Sequence, residues 1–110
     1  MMQETIAKIE ARLQHATALP EKTREELLTL VAELKTEVGR LPSANKEQAE
    51  SIASFTDVST FEATRAAKNQ KSLEHSIGGL EASVSELEAS HPQLAGVVSR
   101  LANLLSNMGI

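Results

Sequence analysis

The 110-residue chain contains no cysteine, no tyrosine and no tryptophan, and only two phenylalanines. Without cysteine there are no disulfides, no thiolate metal sites and no thiol catalysis. The scarcity of aromatics argues against a β-sandwich or barrel, whose sheets lean on aromatic and β-branched side chains. It also leaves no stacking platform for single-stranded nucleic acid. Excess basic charge is missing as well: 11 Lys and Arg stand against 15 Asp and Glu, for a net charge of −4 with the three histidines neutral. No basic cluster stands out, so the electrostatic footprint of a nucleic-acid binder is absent. Glutamate dominates the polar faces, which does not suit a helix lying on an anionic membrane. No apolar run approaches the ~20 residues of a membrane span. The opening Met1-Met2-Gln3-Glu4 lacks the basic-then-apolar pattern of a signal peptide. The expectation is a soluble cytoplasmic protein.

What is present favours helix. The apolar residues are mainly Leu, Ala, Ile and Val, interleaved with Glu, Lys, Arg and Gln, most of them good helix formers. An all-α fold in a single domain over residues 1–110 is predicted. Met2, Ile6, Ile9, Leu13 and Ala16 share one face of a first helix from about Gln3 to Ala16. Leu19-Pro20 ends it. A second helix opens either with Pro20 in its first turn or with a Thr23-x-x-Glu26 capping box, and buries Leu27, Leu30, Val31, Leu34 and Val38. Gly39 reads as its C-terminal cap and Pro42 as a stop. Residues 1–41 are therefore expected to form an antiparallel helical hairpin.

Residues 42–70 read as a weaker helical segment, with a mobile connector as the rival reading. Asn45 with Gln48, and Ser59 with Glu62, resemble capping boxes. Ile52, Phe55, Val58 and Phe61 are spaced by three, which drifts around a helix instead of holding one face. Helix is predicted, in one piece or in two with a break near Asp57.

Over residues 71–108 the pattern is much stronger. Leu73, Ile77, Leu80, Val84, Leu87, His91, Leu94, Val98, Leu101, Leu105 and Met108 are spaced alternately four and three apart. This is a heptad seam, apolar except for His91, of the kind that buries a helix in a bundle or coiled coil. With Leu73 at d, Ile77, Val84, His91, Val98 and Leu105 fall at a, a choice that favours two strands. Before Pro92 the seam is narrow, flanked by Glu74, Glu81 and Glu88 on one side and Ser76, Ser83 and Ser90 on the other. After it Ala95, Ala102, Val97 and Leu104 widen the stripe, as suits the core of a bundle. The first half is where a second copy of the chain would be sought. Gly78-Gly79 on the outer side reads as a tolerated solvent face, or as a hinge or close helix contact.

Pro92 interrupts the seam. In a continuous helix it forfeits the bond to Glu88 and clashes with that carbonyl, at a cost of ~3 kcal/mol. Ser90-x-x-Gln93 offers a fresh capping box, so the long helix is either kinked or broken at Ser90-His91-Pro92-Gln93. Unrelated helices would keep the heptad phase roughly one or two times in seven, which favours a kinked rod. His91 then lines or caps the kink, or serves as a polar register-setting position or a pH-sensitive contact.

No catalytic pattern appears. His15, His75 and His91 have no metal-ligand spacing with one another, and there is no Gly-rich phosphate loop and no Gly-x-Ser-x-Gly elbow. No enzyme activity, catalytic residue, cofactor or metal is expected.

The string Glu81-Ala-Ser-Val-Ser-Glu-Leu-Glu-Ala-Ser-His-Pro-Gln-Leu94 and the ending Leu105-Ser-Asn-Met-Gly-Ile110 resemble domain-of-unknown-function family 4404, a group of small bacterial helical proteins. The stretch Leu27-Leu28-Thr-Leu-Val-Ala-Glu-Leu34 is similar as well. The resemblance implies a bacterial cytoplasmic setting and a full-length chain ending at Ile110, and it brings no activity or site residue with it. The function expected is a non-enzymatic, self-associating helical protein, a dimer foremost, acting as an interaction or scaffold module toward a further protein partner. A bundle binding an apolar ligand, or a regulatory or chaperone-like accessory factor, is the alternative.

Overall fold

The structure, a computed structural model, describes residues 2–108. The described residues form five helices and no strand: α1 (Met2–Gln14), α2 (Glu21–Gly39), α3 (Lys46–Thr64), α4 (Gln70–Ser85) and α5 (Pro92–Met108). A short 3-10 turn, Ser43–Asn45, leads into α3. The fold is an all-α helical bundle.

Proline and asparagine set the helix starts. Pro20 occupies the N-cap of α2 in an extended conformation (φ −56°, ψ 143°). Its carbonyl accepts the Arg24 amide at 3.0 Å. Helix two thus begins at Glu21, ahead of Thr23, and the Thr23-x-x-Glu26 box does not form. At the other end Gly39 is the last helical residue, and the cap is Arg40 in a right-handed conformation. Gly39 is therefore not the left-handed cap read from the sequence; no described glycine has a positive φ. The start of α4 was not visible in the heptad pattern. Asn69 caps it, its side chain accepting the Ser72 amide at 3.0 Å.

The region is helical, and of the two forms left open it takes the unbroken one, α3, with no break near Asp57. Asp57 does not turn back on its own backbone, because its carboxylate pairs across to α1, with Lys8 at 3.4 Å and Arg12 at 3.2 Å. Thr56, Thr60 and Thr64 donate their hydroxyls to the carbonyls four residues back, at 2.7, 2.8 and 2.7 Å. These bonds satisfy the hydroxyls without leaving the helix. Ser59 lies within α3 and caps nothing.

Pro92 separates two helices; the kinked rod favoured by the heptad phase is not what forms. Helix α4 ends at Ser85, residues 86–90 turn, and Pro92 is the first residue of α5. At that position its missing amide has no intrahelical partner to lose and its fixed φ already suits a helix. His91 takes the N-cap position, its carbonyl accepting the Ala95 amide at 3.2 Å and its own amide donating to Leu87 at 2.7 Å. Ser90 is one residue too early to cap. The heptad phase survives the turn because α4 and α5 pack against each other and face the same core.

The helices close a ring. α3 packs on α1 and α4, α4 on α5, α5 on α2, and α2 on α1, while α3 also reaches α5 across the bundle. Ile6, Ile9 and Leu13 of α1, Leu27, Val31 and Leu34 of α2, and Leu94, Leu101 and Leu105 of α5 are fully buried between them. Burying each such side chain contributes about 1.5–3 kcal/mol. The Cα radius of gyration, 13.0 Å, equals the ~13 Å expected of a folded domain of this length. One copy of the chain closes its own core.

Candidate interaction surface

The heptad residues lie in that core. Leu73, Ile77, Leu80, Val84, Leu87, Leu94, Val98, Leu101 and Leu105 are all buried, and His91 and Met108 are partly buried. The narrow first half is covered by α3 of the same chain, so it is not open to a second copy. Its serine flank is what lets α3 come close. Ser76 is 6% exposed and bonds back to the Leu73 carbonyl at 2.9 Å, and Ser83 does the same to Leu80 at 2.6 Å. The glutamates opposite, Glu74, Glu81 and Glu88, are exposed. Of the residues around the break, Ser90, Pro92 and Gln93 are exposed and together form no site.

Helix α3 meets this small-residue flank with small residues of its own. Its buried positions are Ala49, Ile52, Ala53, Thr56, Ser59, Thr60 and Ala63, spaced three, one, three, three, one and three apart. That is helical periodicity, carried mostly by small side chains. Because only Ile52 among them is large, apolar size alone gives no hint of which way α3 faces. Ser59 is 0% exposed and its Oγ has no hydrogen-bond partner.

The large side chains of α3 point the other way. Phe55, Val58 and Phe61 are 38%, 46% and 43% exposed, the exposed large hydrophobics of the described residues. Three residues advance a helix by about 300°, so the trio fans over about 120° with Val58 in the middle. Both aromatic residues of the chain thus lie outside the core, on one face. The ends of the fan rest on the flanking helices. The Phe55 ring lies over Gly79 of α4, where a Cβ would strike it. Gly78, one residue earlier, has open space around it. The two glycines thus divide between the readings of the sequence: Gly78 is a tolerated surface position, Gly79 a close contact.

At the opposite end, the Phe61 ring is flanked by two guanidiniums, Arg12 of α1 at 5.2 Å and Arg65 at 5.7 Å from its centroid. Arg12 is held there by Asp57, and its Nε is buried without a partner. Arg65 is held by Glu62 at 3.1 Å. Beyond Phe55 lies a groove of about 730 Å³ between the N-terminal half of α3 and the last turns of α4. Gly79, Ala82 and Ser83 lie along it with Phe55, and Lys46, Glu47 and Glu86 add charge of both signs.

A second groove of about 700 Å³ runs between α2 and α5, with Leu30 and Leu104 among Lys22, Glu25, Arg100 and other polar residues. Both are open clefts instead of enclosed chambers. Among the described residues no group of three or more His, Asp or Glu could hold a metal ion, and His15 and His75 are exposed. No described helix is long and apolar enough to cross a membrane.

The sequence reading singled out Phe55, Val58 and Phe61 for their drifting spacing but did not place them on the surface. The signal that could have done so is the helical spacing of Ala, Ser and Thr on the other side of the same segment. Residues 27–110 match a protein family described as a domain of unknown function (DUF4404). No curated protein and no solved structure matches the chain.

Proposed function

The chain belongs to the DUF4404 family, and from that premise we propose that it is a non-enzymatic helical module of the cytoplasm that self-associates, as a dimer, to act in protein–protein interaction. The observation that carries this reading is the outward face of α3, where Phe55, Val58 and Phe61 are exposed together. A chain with two aromatic residues in total keeps both on its surface, in a cluster, and fills its interior with aliphatic side chains. Aromatic residues are enriched in interfaces and supply many of their dominant contacts, and a grouped apolar patch on an otherwise polar surface marks an interaction site. The heptad seam does not support association, since its residues are used up inside the bundle. The open form of the grooves gives an apolar ligand little enclosure.

Sedimentation equilibrium at tens of micromolar, on the wild type and on Val58→Asp, tests the reading. Val58 is the most exposed of the three, so the substitution leaves the core intact and helicity unchanged. The expected result is a dimer that becomes a monomer with Val58→Asp. A wild-type monomer throughout, or a dimer indifferent to the substitution, would remove the reading.

A further inference from the structure

Resting on that reading, we infer that the occupant of the α3 face is a second copy placed so that its Phe61–arginine knob enters the groove beside Phe55, and the reverse. A two-fold dimer requires a surface that is complementary to itself. The two ends of the α3 face differ in shape and in charge: an aromatic ring among three cations and two carboxylates at one end, an open and largely polar groove with two carboxylates and one cation at the other. Its Phe61 end presents an aromatic ring that is 43% exposed, with Arg12 and Arg65 on its flanks. Its Phe55 end is recessed, because Phe55 lies down over Gly79 and small residues, Ala82 and Ser83, leave the groove beyond it unfilled. The groove carries Glu47 and Glu86 beside Lys46, two carboxylates against one ammonium.

Phe55 and Phe61 stand three residues to either side of Val58. A two-fold axis passing beside Val58, perpendicular to the line joining the two rings, lays each Phe61 end on the other copy's Phe55 end. The ring then fills the groove, and the arginines approach carboxylates that their own chain leaves at the opposite end. Both arginines are already fixed by Asp57 and Glu62, so little side-chain freedom is lost when they meet the partner, which lowers the cost of association. The contact is made twice in the dimer, once in each direction.

Two exposed substitutions separate the halves of the contact. Phe61→Ala removes the knob, and Ala82→Arg fills the groove from an exposed position on α4 without touching the core. Each alone is expected to raise the dimer dissociation constant at least tenfold in sedimentation equilibrium, with the helical content by circular dichroism at 20 °C retained. Mixed in equal amounts, the two variants are expected to form a heterodimer tighter than either homodimer. In that pair the open groove of the Phe61→Ala copy still receives the knob of the Ala82→Arg copy. A dimer that Val58→Asp dissolves but Ala82→Arg leaves unchanged, or a mixture no tighter than its components, overturns this arrangement while the α3 face stands. A wild-type monomer overturns both.

Discussion

Replacing Ser59 by alanine should make the protein more stable, against the usual direction of substitutions in a core. Ser59 is 0% exposed and its hydroxyl has no hydrogen-bond partner. A buried hydroxyl left unpaired costs about 1–3 kcal/mol in desolvation. Alanine removes the oxygen alone, so almost no cavity is left. It is also the better helix former in mid-helix, by some tenths of a kcal/mol up to about 0.7. The sum is a stabilisation of about 1–3 kcal/mol. Urea unfolding followed by far-ultraviolet circular dichroism should show a higher midpoint at an unchanged slope. The melting temperature should rise by at least about 4 °C. The control is Thr56→Ala on the same buried face. Thr56 is also 0% exposed, but its hydroxyl donates to the Ile52 carbonyl at 2.7 Å. Losing that bond and a buried methyl should cost about 1 kcal/mol net of the gain in helix propensity. If Ser59→Ala destabilises the protein as much as Thr56→Ala does, the Ser59 hydroxyl is paired and the reasoning fails.

The break at Pro92 and the two glycines of α4 give sharper contrasts. Pro92→Ala should change stability by less than about 1 kcal/mol, since Pro92 sits at the start of α5. A gain near 3 kcal/mol in urea unfolding would instead mean that Pro92 bends a continuous helix. Gly78→Ala, with open space around the new methyl, should stabilise by about 1 kcal/mol. Gly79→Ala should fall short of that gain, because its methyl must displace the Phe55 ring. Equal effects on the unfolding midpoint would show that Phe55 does not rest on Gly79.

The all-α architecture, the two N-terminal helices and the identity of the C-terminal core were legible in the sequence because they depend on local properties. Helix propensity belongs to each residue, and the seam from Leu73 to Met108 repeats at an interval that any single helix imposes on its own buried stripe. Pro92 was legible as a fault in that stripe, though not as its outcome. A kinked rod and two helices facing one core place Leu87 and Leu94 in the same register, so periodicity does not separate them. The packing of α4 on α5 does.

Helix α3 shows the limit most clearly. Read by apolar size, its large residues at 52, 55, 58 and 61 drift around the helix, and Asp57 among serines and threonines looks like a break. The helix nevertheless runs through Asp57, because Lys8 and Arg12 arrive from another part of the chain to pair with it. It also turns its smallest side chains inward, because α1, α4 and α5 crowd it from three sides. Small residues allow the helix axes to approach, and Ile52 is the one large side chain buried on that side. The sequence by itself determined which residues could be helical and which stripe of the last third would be buried. Only the tertiary structure decided that α3 buries alanine, serine and threonine while Phe55, Val58 and Phe61 face outward, because the facing of a helix is set by the space its neighbours leave.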